Sequence, residues 1–223
     1  MKLSIVMPTL DEGEVIENTL SALQGFRQLG VEIVLVDGGS QDQTQTLARP
    51  WVDQLVIAPP GRASQMNAGA KAAQGDVLLF LHADTQLPAG GIAQISRATE
   101  QGAGWGRFDV RISGRARTLG LVSALMNARS RLTAIATGDQ AIFVSRTLFE
   151  KVGGFPLQAL MEDIELSKRL RQLERPHCLA GPAVTSGRRW EKRGVWKTIF
   201  LMWRLRWLYW RGVSPARLAE KYR

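Results

Sequence analysis

Acidic side chains follow three short apolar runs in this chain, at the points where the runs end. The first run, 3–8, is followed by Asp11 and Glu12. The second run, 31–37, ends in Asp37. The third run, 77–81, is followed by His82 and Asp84. Apolar runs of this length are typical of strands buried on both faces. Parallel strands share one carboxyl edge, where ligands bind. The spacing therefore predicts a nucleotide-diphosphate or metal site, and the alternative is a set of solvated loop ends.

The order of the predicted elements favours a parallel sheet. Strands are predicted at 3–8, 31–37, 53–59, 76–81, 104–113 and 141–145, and helices at 13–26, 41–49, 63–75, 117–132 and 160–173. Strands that alternate with helices at this spacing are typical of βαβ units. We therefore predict an α/β protein with a mostly parallel sheet flanked by helices.

Two common phosphate-binding motifs are missing from the sequence. A dinucleotide-binding fold places G-x-G-x-x-G after its first strand, but residues 8–14 read PTLDEGE. The G-x-x-x-x-G-K-[ST] loop is also absent. Acids rather than glycines follow the strands, which favours a diphosphate bridged by a metal over one held only by backbone amides.

Four segments together resemble family 2 glycosyltransferases, which have the GT-A fold. They are SIVMPTLDE, VDGGSQDQT, GRASQMNAGAKAAQGDVLLFLHAD and MEDIELSKRL, and they span about residues 3–173. Their order and spacing make the match specific, whereas one segment alone would be weak. The chain most resembles short bacterial-type members in which HAD replaces the more common D-x-D.

The resemblance implies a site for a nucleotide-sugar donor and a divalent metal, Mn²⁺ or Mg²⁺. Positions matching the family's donor contacts are Thr9, Glu12, Asp37, Arg62, Asn67, His82 and Asp84, and those matching metal ligands are Asp84, Gln86 and His82. His82 stands where most members have a carboxylate, and an imidazole is a softer ligand that slightly favours manganese. It could instead hydrogen-bond the ribose. Asp37 could be only a turn former and Arg62 could pair with a surface acid.

The resemblance also implies a general base and an acceptor-side loop. Asp163, in the pair Glu162-Asp163, matches the residue that takes the proton from the acceptor hydroxyl, and Asp139 lies in the acceptor-side segment Gly138-Asp139-Gln140. A hydroxyl has a high pKa and needs such a base within hydrogen-bond reach. A base opposite the leaving group implies inversion at the anomeric carbon. The alternative for Glu162 and Asp163 is an acidic pair that favours the helix dipole.

The basic character of the chain belongs to its C-terminal end. The net charge is +9, and residues 185–223 hold eleven Lys and Arg against two acids, which accounts for all of it. We predict a catalytic domain over 1–185 and an amphipathic helical extension over 186–223. The single cysteine, Cys178, excludes an intramolecular disulfide. With no secretory signal visible at the N-terminus, a cytoplasmic location is expected.

Residues 194–212 have the pattern of an amphipathic helix. Aromatic residues recur at steps of four, three, four and three, which places them on one stripe: Trp196, Phe200, Trp203, Trp207 and Trp210. Cations within this run argue against a membrane span. Tryptophans beside cations suit the membrane–water interface, where each basic residue adds roughly 1 kcal/mol near anionic lipid. Peripheral contact with the inner face of the cytoplasmic membrane is expected, and packing on the catalytic domain or on a second subunit is the alternative.

The sequence therefore predicts a glycosyltransferase that moves a sugar from a UDP- or GDP-linked donor to an acceptor hydroxyl, on a lipid or lipid-linked acceptor if the tail contacts membrane. No nucleic-acid partner is expected, because no recognised binding module is present. One alternative is a nucleotidylyltransferase, which would need a glycine-rich loop after the first strand. The other is a non-catalytic, membrane-surface protein that binds nucleotide-sugars and has no use for Glu162-Asp163.

Overall fold

A computed structural model describes residues 1–116 and 118–222 of the protein. The strands are β1 Leu3–Thr9, β2 Glu32–Asp37, β3 Gln54–Ile57, β4 Val77–Phe80, β5 Thr85–Gln86, β6 Trp105–Ser113, β7 Ile142–Ser145 and β8 His177–Ser186. The helices are α1 Ile16–Gln28, α2 Thr44–Ala48, α3 Arg62–Ala72, α4 Gly91–Glu100, α5 Thr118–Thr133, α6 Arg146–Lys151, α7 Glu162–Arg171, α8 Arg188–Arg193, α9 Val195–Trp210 and α10 Pro215–Tyr222. The predicted helix 117–132 begins at Arg117 and the predicted extension ends at Arg223, and both of these residues lie outside the described part.

The strands form one sheet in the order β3-β2-β1-β4-β7-β6-β8-β5. The first four strands pair in parallel, as their continuous apolar runs predict. β7 then pairs antiparallel with both β4 and β6, and β6 pairs in parallel with β8. The prediction of an α/β fold with a mostly parallel sheet is confirmed, with an antiparallel strand inserted in the middle.

Helices cover both faces of the parallel half because β1 and β2 send alternate side chains to opposite faces. On one face Ile5 and Met7 join the core beneath α1. On the other face Val6 packs with residues of α3. A Cβ at Gly69 of α3 would lie 2.4 Å from Val6 Cγ1, so only glycine lets this helix approach the sheet so closely.

Strand β8 was not predicted, and its sequence shows why. The run HCLAGPAVTS contains Gly181 and Pro182, which normally argue against a strand interior. The register with β6 shifts between Phe108 and Asp109, so Phe108 pairs with Leu179 and Asp109 with Pro182. This irregularity accommodates the proline, as bulges commonly do.

The C-terminal helices α9 and α10 pack against the residues around the start of α7. Leu205 of α9 and Leu218 of α10 are fully buried with Leu160, Met161 and Ile164, which surround the start of α7. Among the described residues, no helix combines the length and the apolarity needed to cross a bilayer. The division of the chain at residue 185 stays a prediction.

Candidate active site

Asp37 ends β2 and organises the loop that follows it. The side chain is fully buried. Its Oδ1 accepts hydrogen bonds from the backbone N–H groups of Gly39 (2.9 Å) and Ser40 (2.8 Å) and from Gln45 Nε2 (2.8 Å). The Ser40 hydroxyl donates to Oδ2 at 2.5 Å. Asp37 is therefore a turn former at the carboxyl edge of the sheet, and this role fixes the loop beside the predicted donor site.

Thr9 ends the neighbouring strand β1 and is also buried. The carbonyls of Thr9 and Val36 both accept from Gln65 Nε2, at 2.7 and 2.9 Å. Gln65 lies in the first turn of α3, so it ties this helix to the ends of both strands. The sequence does not predict this role, because a single glutamine within a helix belongs to no recognisable motif.

Glu12 and Asp84 bring two carboxylates together in the crevice beyond β1 and β4. Burial, and then the negative charge of Asp84, raise the pKa of Glu12 above its ordinary value. The charge of Arg188 opposes this shift, and Arg188 Nη2 lies 3.8 Å from Glu12 Oε2. Two carboxylates that repel each other here form a fitting environment for a cation.

His82 faces the 138–140 loop, which the sequence predicts to lie on the acceptor side. Its Nδ1 lies 3.6 Å from Asp139 Oδ1. Desolvation raises the pKa of Asp139, but the close contact and charge of His82, together with the charges of Arg62 and Arg189, outweigh this effect, so the net shift of the pKa is downward. A Cβ on Gly138 would lie 2.4 Å from the His82 ring, so the close packing of this ring requires glycine at 138. The structure thus joins His82 to Asp139, and its predicted metal or ribose contact stays a prediction.

Glu162 and Asp163 begin α7 beside this loop. Asp163 Oδ2 accepts from the Gly138 N–H at 2.9 Å and Oδ1 accepts from the Ile164 N–H at 2.7 Å. Burial raises the pKa of Asp163, and the charge of Asp139 adds to this, while the two hydrogen bonds and the charge of Arg62 oppose it. The net shift is upward, so the Asp163 carboxylate binds a proton more readily than an ordinary aspartate.

Arg62, at the start of α3, lies near the carboxylates around the start of α7. Its Nη1 lies 3.9 Å from Glu162 Oε1, and its charge acts on Asp139, Glu162 and Asp163. The alternative that Arg62 pairs only with a surface acid does not describe this geometry, because Glu162 is buried. Burial, then the neighbouring charge of Asp163, raise the pKa of Glu162.

Three arginines near the crevice were missed by sequence reasoning. Arg188 and Arg189 follow β8 at the start of α8, and Arg189 lies close enough to Asp84 and Asp139 for their charges to affect its pKa, which burial lowers. Their basic run was assigned to the C-terminal extension. Arg129 of α5 is near Asp163, and its Nη1 and Nη2 are buried without a hydrogen-bond partner among residues 1–116 and 118–222.

Two predicted residues are placed apart from this group. Asn67 uses both ends of its amide on one neighbour: Nδ2 donates to the Phe155 carbonyl at 2.8 Å and Oδ1 accepts from the Phe155 N–H at 2.9 Å. Gln86 is exposed on the short edge strand β5. Asn67 therefore holds the 153–155 loop, and its predicted donor contact and the metal contact of Gln86 stay predictions.

The side chains of the crevice provide some, but not all, of the ligands that a metal ion needs. Within the described ranges, no group of three His, Cys, Asp or Glu residues could hold a metal ion by itself. Asp84 and Glu12 nevertheless give the oxygen-rich, negatively charged surroundings that Mg²⁺ and Mn²⁺ favour. The residues fit a cation whose remaining ligands come from phosphate oxygens and water.

Two curated proteins show the level of similarity that this chain has to its relatives. The chain is 31% identical over 178 residues to a dolichol-phosphate mannosyltransferase of Pyrococcus furiosus, covering 75% of this chain and 49% of that protein. It is 27% identical over 241 residues to the probable glycosyltransferase YdaM of Bacillus subtilis, covering 95% and 55%. The chain thus spans about half the length of these curated relatives.

Comparison with solved structures confirms the GT-A fold. The mannosyltransferase PcManGT of Pyrobaculum calidifontis, solved with GDP-Man and Mn²⁺, superposes with a TM-score of 0.65 at 23% identity, over 92% of this chain and 60% of that one. The profile described as "Glycosyl transferase family 2" matches residues 4–118, which include β2 to β6, all but the first residue of β1, and the candidate donor residues. The chain belongs to glycosyl transferase family 2.

Proposed function

We propose that this protein transfers a hexose from a UDP- or GDP-linked donor to an acceptor hydroxyl, with a divalent metal and with inversion at the anomeric carbon. The observation that carries the proposal is the convergence of Glu12, Asp84 and Asp163 on one crevice crossed by Arg62. The complex of PcManGT with GDP-Man and Mn²⁺ supports this donor class and this kind of metal.

The donor side uses the ends of the parallel strands. Thr9 and Asp37 shape the edge that receives the base and ribose, and Glu12 and Asp84 face the diphosphate. Asp84 would hold the metal, with His82 or Gln86 as further ligands. The metal supplies positive charge for the leaving nucleoside diphosphate. Arg62, 3.9 Å from Glu162, would contribute a second positive charge in the crevice.

Asp163 takes the proton of the acceptor hydroxyl in this proposal. Its two backbone hydrogen bonds fix the carboxylate, and its raised pKa brings it closer to the range of an effective general base. The hydroxyl oxygen attacks the anomeric carbon as the bond to the diphosphate breaks. Asp139 holds His82 and places its negative charge beside Asp163.

The acceptor is proposed to be a lipid or lipid-linked molecule, reached from the inner face of the cytoplasmic membrane. The relative from Pyrococcus furiosus is named for a lipid phosphate, dolichol phosphate. Peripheral contact of residues 194–212 with the membrane belongs to this proposal. It would bring the crevice to a substrate that does not leave the bilayer.

Calorimetry with UDP-, GDP- and dTDP-sugars, with and without Mn²⁺, tests the donor site. We expect the wild type to bind one donor in a metal-dependent manner and Asp84→Ala to lose that binding. Glu150→Ala is a control, because Glu150 is a solvent-exposed acid on α6. Donor binding that depends on neither the metal nor Asp84 would overturn the assignment of a metal site at the end of β4.

A second variant separates an enzyme from a binding protein. Asp163→Asn should keep donor binding and lower product formation by roughly 10²–10⁴-fold, the usual contribution of a general base. A nucleotide-sugar-binding protein without catalysis would form no product in the wild type either. Retention of full activity by Asp163→Asn would assign the proton transfer to another residue.

A further inference from the structure

Helix α9 has one face fixed to the protein. Leu205 is fully buried, and Leu201, Met202 and Leu208 pack against the same cluster. The Tyr209 hydroxyl donates to Glu165 Oε2 of α7 at 3.0 Å, and Lys168 Nζ lies 4.7 Å from the centre of the Tyr209 ring. The helix is therefore held in a defined orientation and its opposite face points outward.

That outward face is aromatic. The side chains of Trp196, Phe200, Trp203, Trp207 and Trp210 are 55–79% exposed. Five large aromatic residues in one exposed stripe are unusual for a protein surface, which normally shows its apolar residues singly. The alternative that the stripe packs on the catalytic part of the chain is wrong, because the buried face of α9 is the opposite one.

The charged residues of the segment that carries the stripe are all positive. Between Glu191 and Glu220 the chain has seven Lys and Arg and no acidic residue. Lys197, Arg204 and Arg211 are exposed along the edge of the stripe, and the Arg211 guanidinium lies 5.4 Å from the centre of the Trp207 ring. Whatever covers the aromatic residues must therefore also accommodate a dense row of cations.

An anionic lipid surface meets both requirements, whereas a second copy of this chain does not. Tryptophan rings favour the boundary between head groups and acyl chains, and anionic head groups attract the cations. A symmetric dimer through the stripe would bring two such rows of cations to one interface, with no acidic residue from 192–219 to compensate them, at an unfavourable electrostatic energy. We propose that the aromatic stripe of α9 docks in the interface of an anionic bilayer, with the helix axis parallel to the membrane.

The buried face of α9 explains what such docking would do for the proposed function, on which this step rests. Leu205 shares a cluster with Met161 and Ile164, which flank Glu162 and Asp163. A helix with side chains is about 10–12 Å across. Docking would therefore leave only the thickness of α9 between the lipid surface and the residues that flank Glu162 and Asp163, and so would fix the start of α7 close to the membrane.

Vesicle binding tests the docking without any donor, acceptor or turnover. The wild type is sedimented with vesicles of phosphatidylcholine alone and with vesicles that contain roughly one third phosphatidylglycerol. We expect binding to the anionic vesicles that falls with added salt, and a roughly tenfold or larger loss of affinity in Trp203→Ala/Trp207→Ala. Lys197→Gln/Arg204→Gln leaves the five aromatic residues in place, so this variant should still bind vesicles but lose the preference for anionic lipid.

A matched control removes exposed apolar side chains elsewhere. Leu29→Ala/Ile57→Ala changes residues that are 78% and 58% exposed but lie outside the stripe, so its vesicle binding should equal that of the wild type. Donor binding by each variant shows that its fold is intact. If the wild type itself binds no donor, the proposed function is contradicted but the docking is not. Vesicle binding that is absent, or unchanged in Trp203→Ala/Trp207→Ala, overturns the docking. A wild-type dimer in light scattering that this variant dissociates would also overturn it in favour of a second copy.

Discussion

Glu162 is a buried carboxylate that should reduce the stability of the folded protein at neutral pH. Its side chain is only 5% exposed and it adjoins Asp163. Its nearest cation, Arg62 Nη1 at 3.9 Å, belongs to a side chain that is 43% exposed, so solvent screens the pair. Burial first, and the charge of Asp163 second, raise the pKa of Glu162 above its ordinary value of 4.5. The substitution Glu162→Gln removes the charge while keeping the shape.

The expected effect follows from the direction of this shift. The native state binds the Glu162 proton more tightly than the unfolded state, so stability falls as pH rises from the unfolded pKa through the higher native pKa. A buried polar group without a partner costs about 1–3 kcal/mol, and the half-exposed Arg62 at 3.9 Å offsets only part of this cost for Glu162. We expect Glu162→Gln to gain about 1–2 kcal/mol at neutral pH, or about 2–8 °C in Tm for a chain of this length.

Thermal unfolding of both proteins across a pH series measures the gain. The two melting curves should converge at acidic pH, where Glu162 is protonated in both states. Glu17→Gln, an exposed glutamate on α1, controls for the general loss of one negative charge. A variant that is less stable than the wild type at neutral pH, or a difference that does not change with pH, would refute the reasoning.

Three further perturbations test other parts of the site. Arg129→Met should unfold at the same or a higher urea concentration than the wild type, because the buried Nη atoms have no hydrogen-bond partner among the described residues. A decrease of more than about 1 kcal/mol in the free energy of unfolding would mean that other interactions stabilise the buried guanidinium. Gly138→Ala should lower Tm, because the new Cβ would meet the His82 ring, and His82→Ala in the same background should restore it; an unchanged Tm would contradict this contact. Asp139→Asn should move the acid limb of the kcat/KM profile to lower pH, because Asp139 helps to raise the pKa of Asp163; an upward move would contradict that coupling.

The parallel half of the fold was predictable because its strands are continuous apolar runs. The predicted strands at 3–8, 31–37 and 76–81 lie within one residue of the observed β1, β2 and β4 at each end. The antiparallel pairing of β7 was not predictable, since strand direction depends on tertiary contacts and not on composition. Helix α4 was also missed, although Ile95 and Ala98 are buried at helical spacing.

The site was predictable where residues act from strand ends and helix starts. The structure brings Asp163 to the 138–140 loop through the Gly138 N–H, a contact that no sequence pattern predicted, and the role of Asp163 as the base stays a prediction. Asn67 matched the motif, but its amide is used by the backbone of Phe155. Arg188 lay in a run whose composition pointed to the tail, and only the path of β8 brings it to Glu12.

The insertion of β7 beside β4 divides the crevice between two stretches of the chain. The candidate donor residues all precede β6, and the acceptor-side residues Asp139, Glu162 and Asp163 all follow α5. The family profile ends at residue 118, between these two stretches. The family match therefore includes the residues proposed to bind the donor and excludes those proposed to face the acceptor. It accordingly supports the proposed donor class more directly than the proposed acceptor.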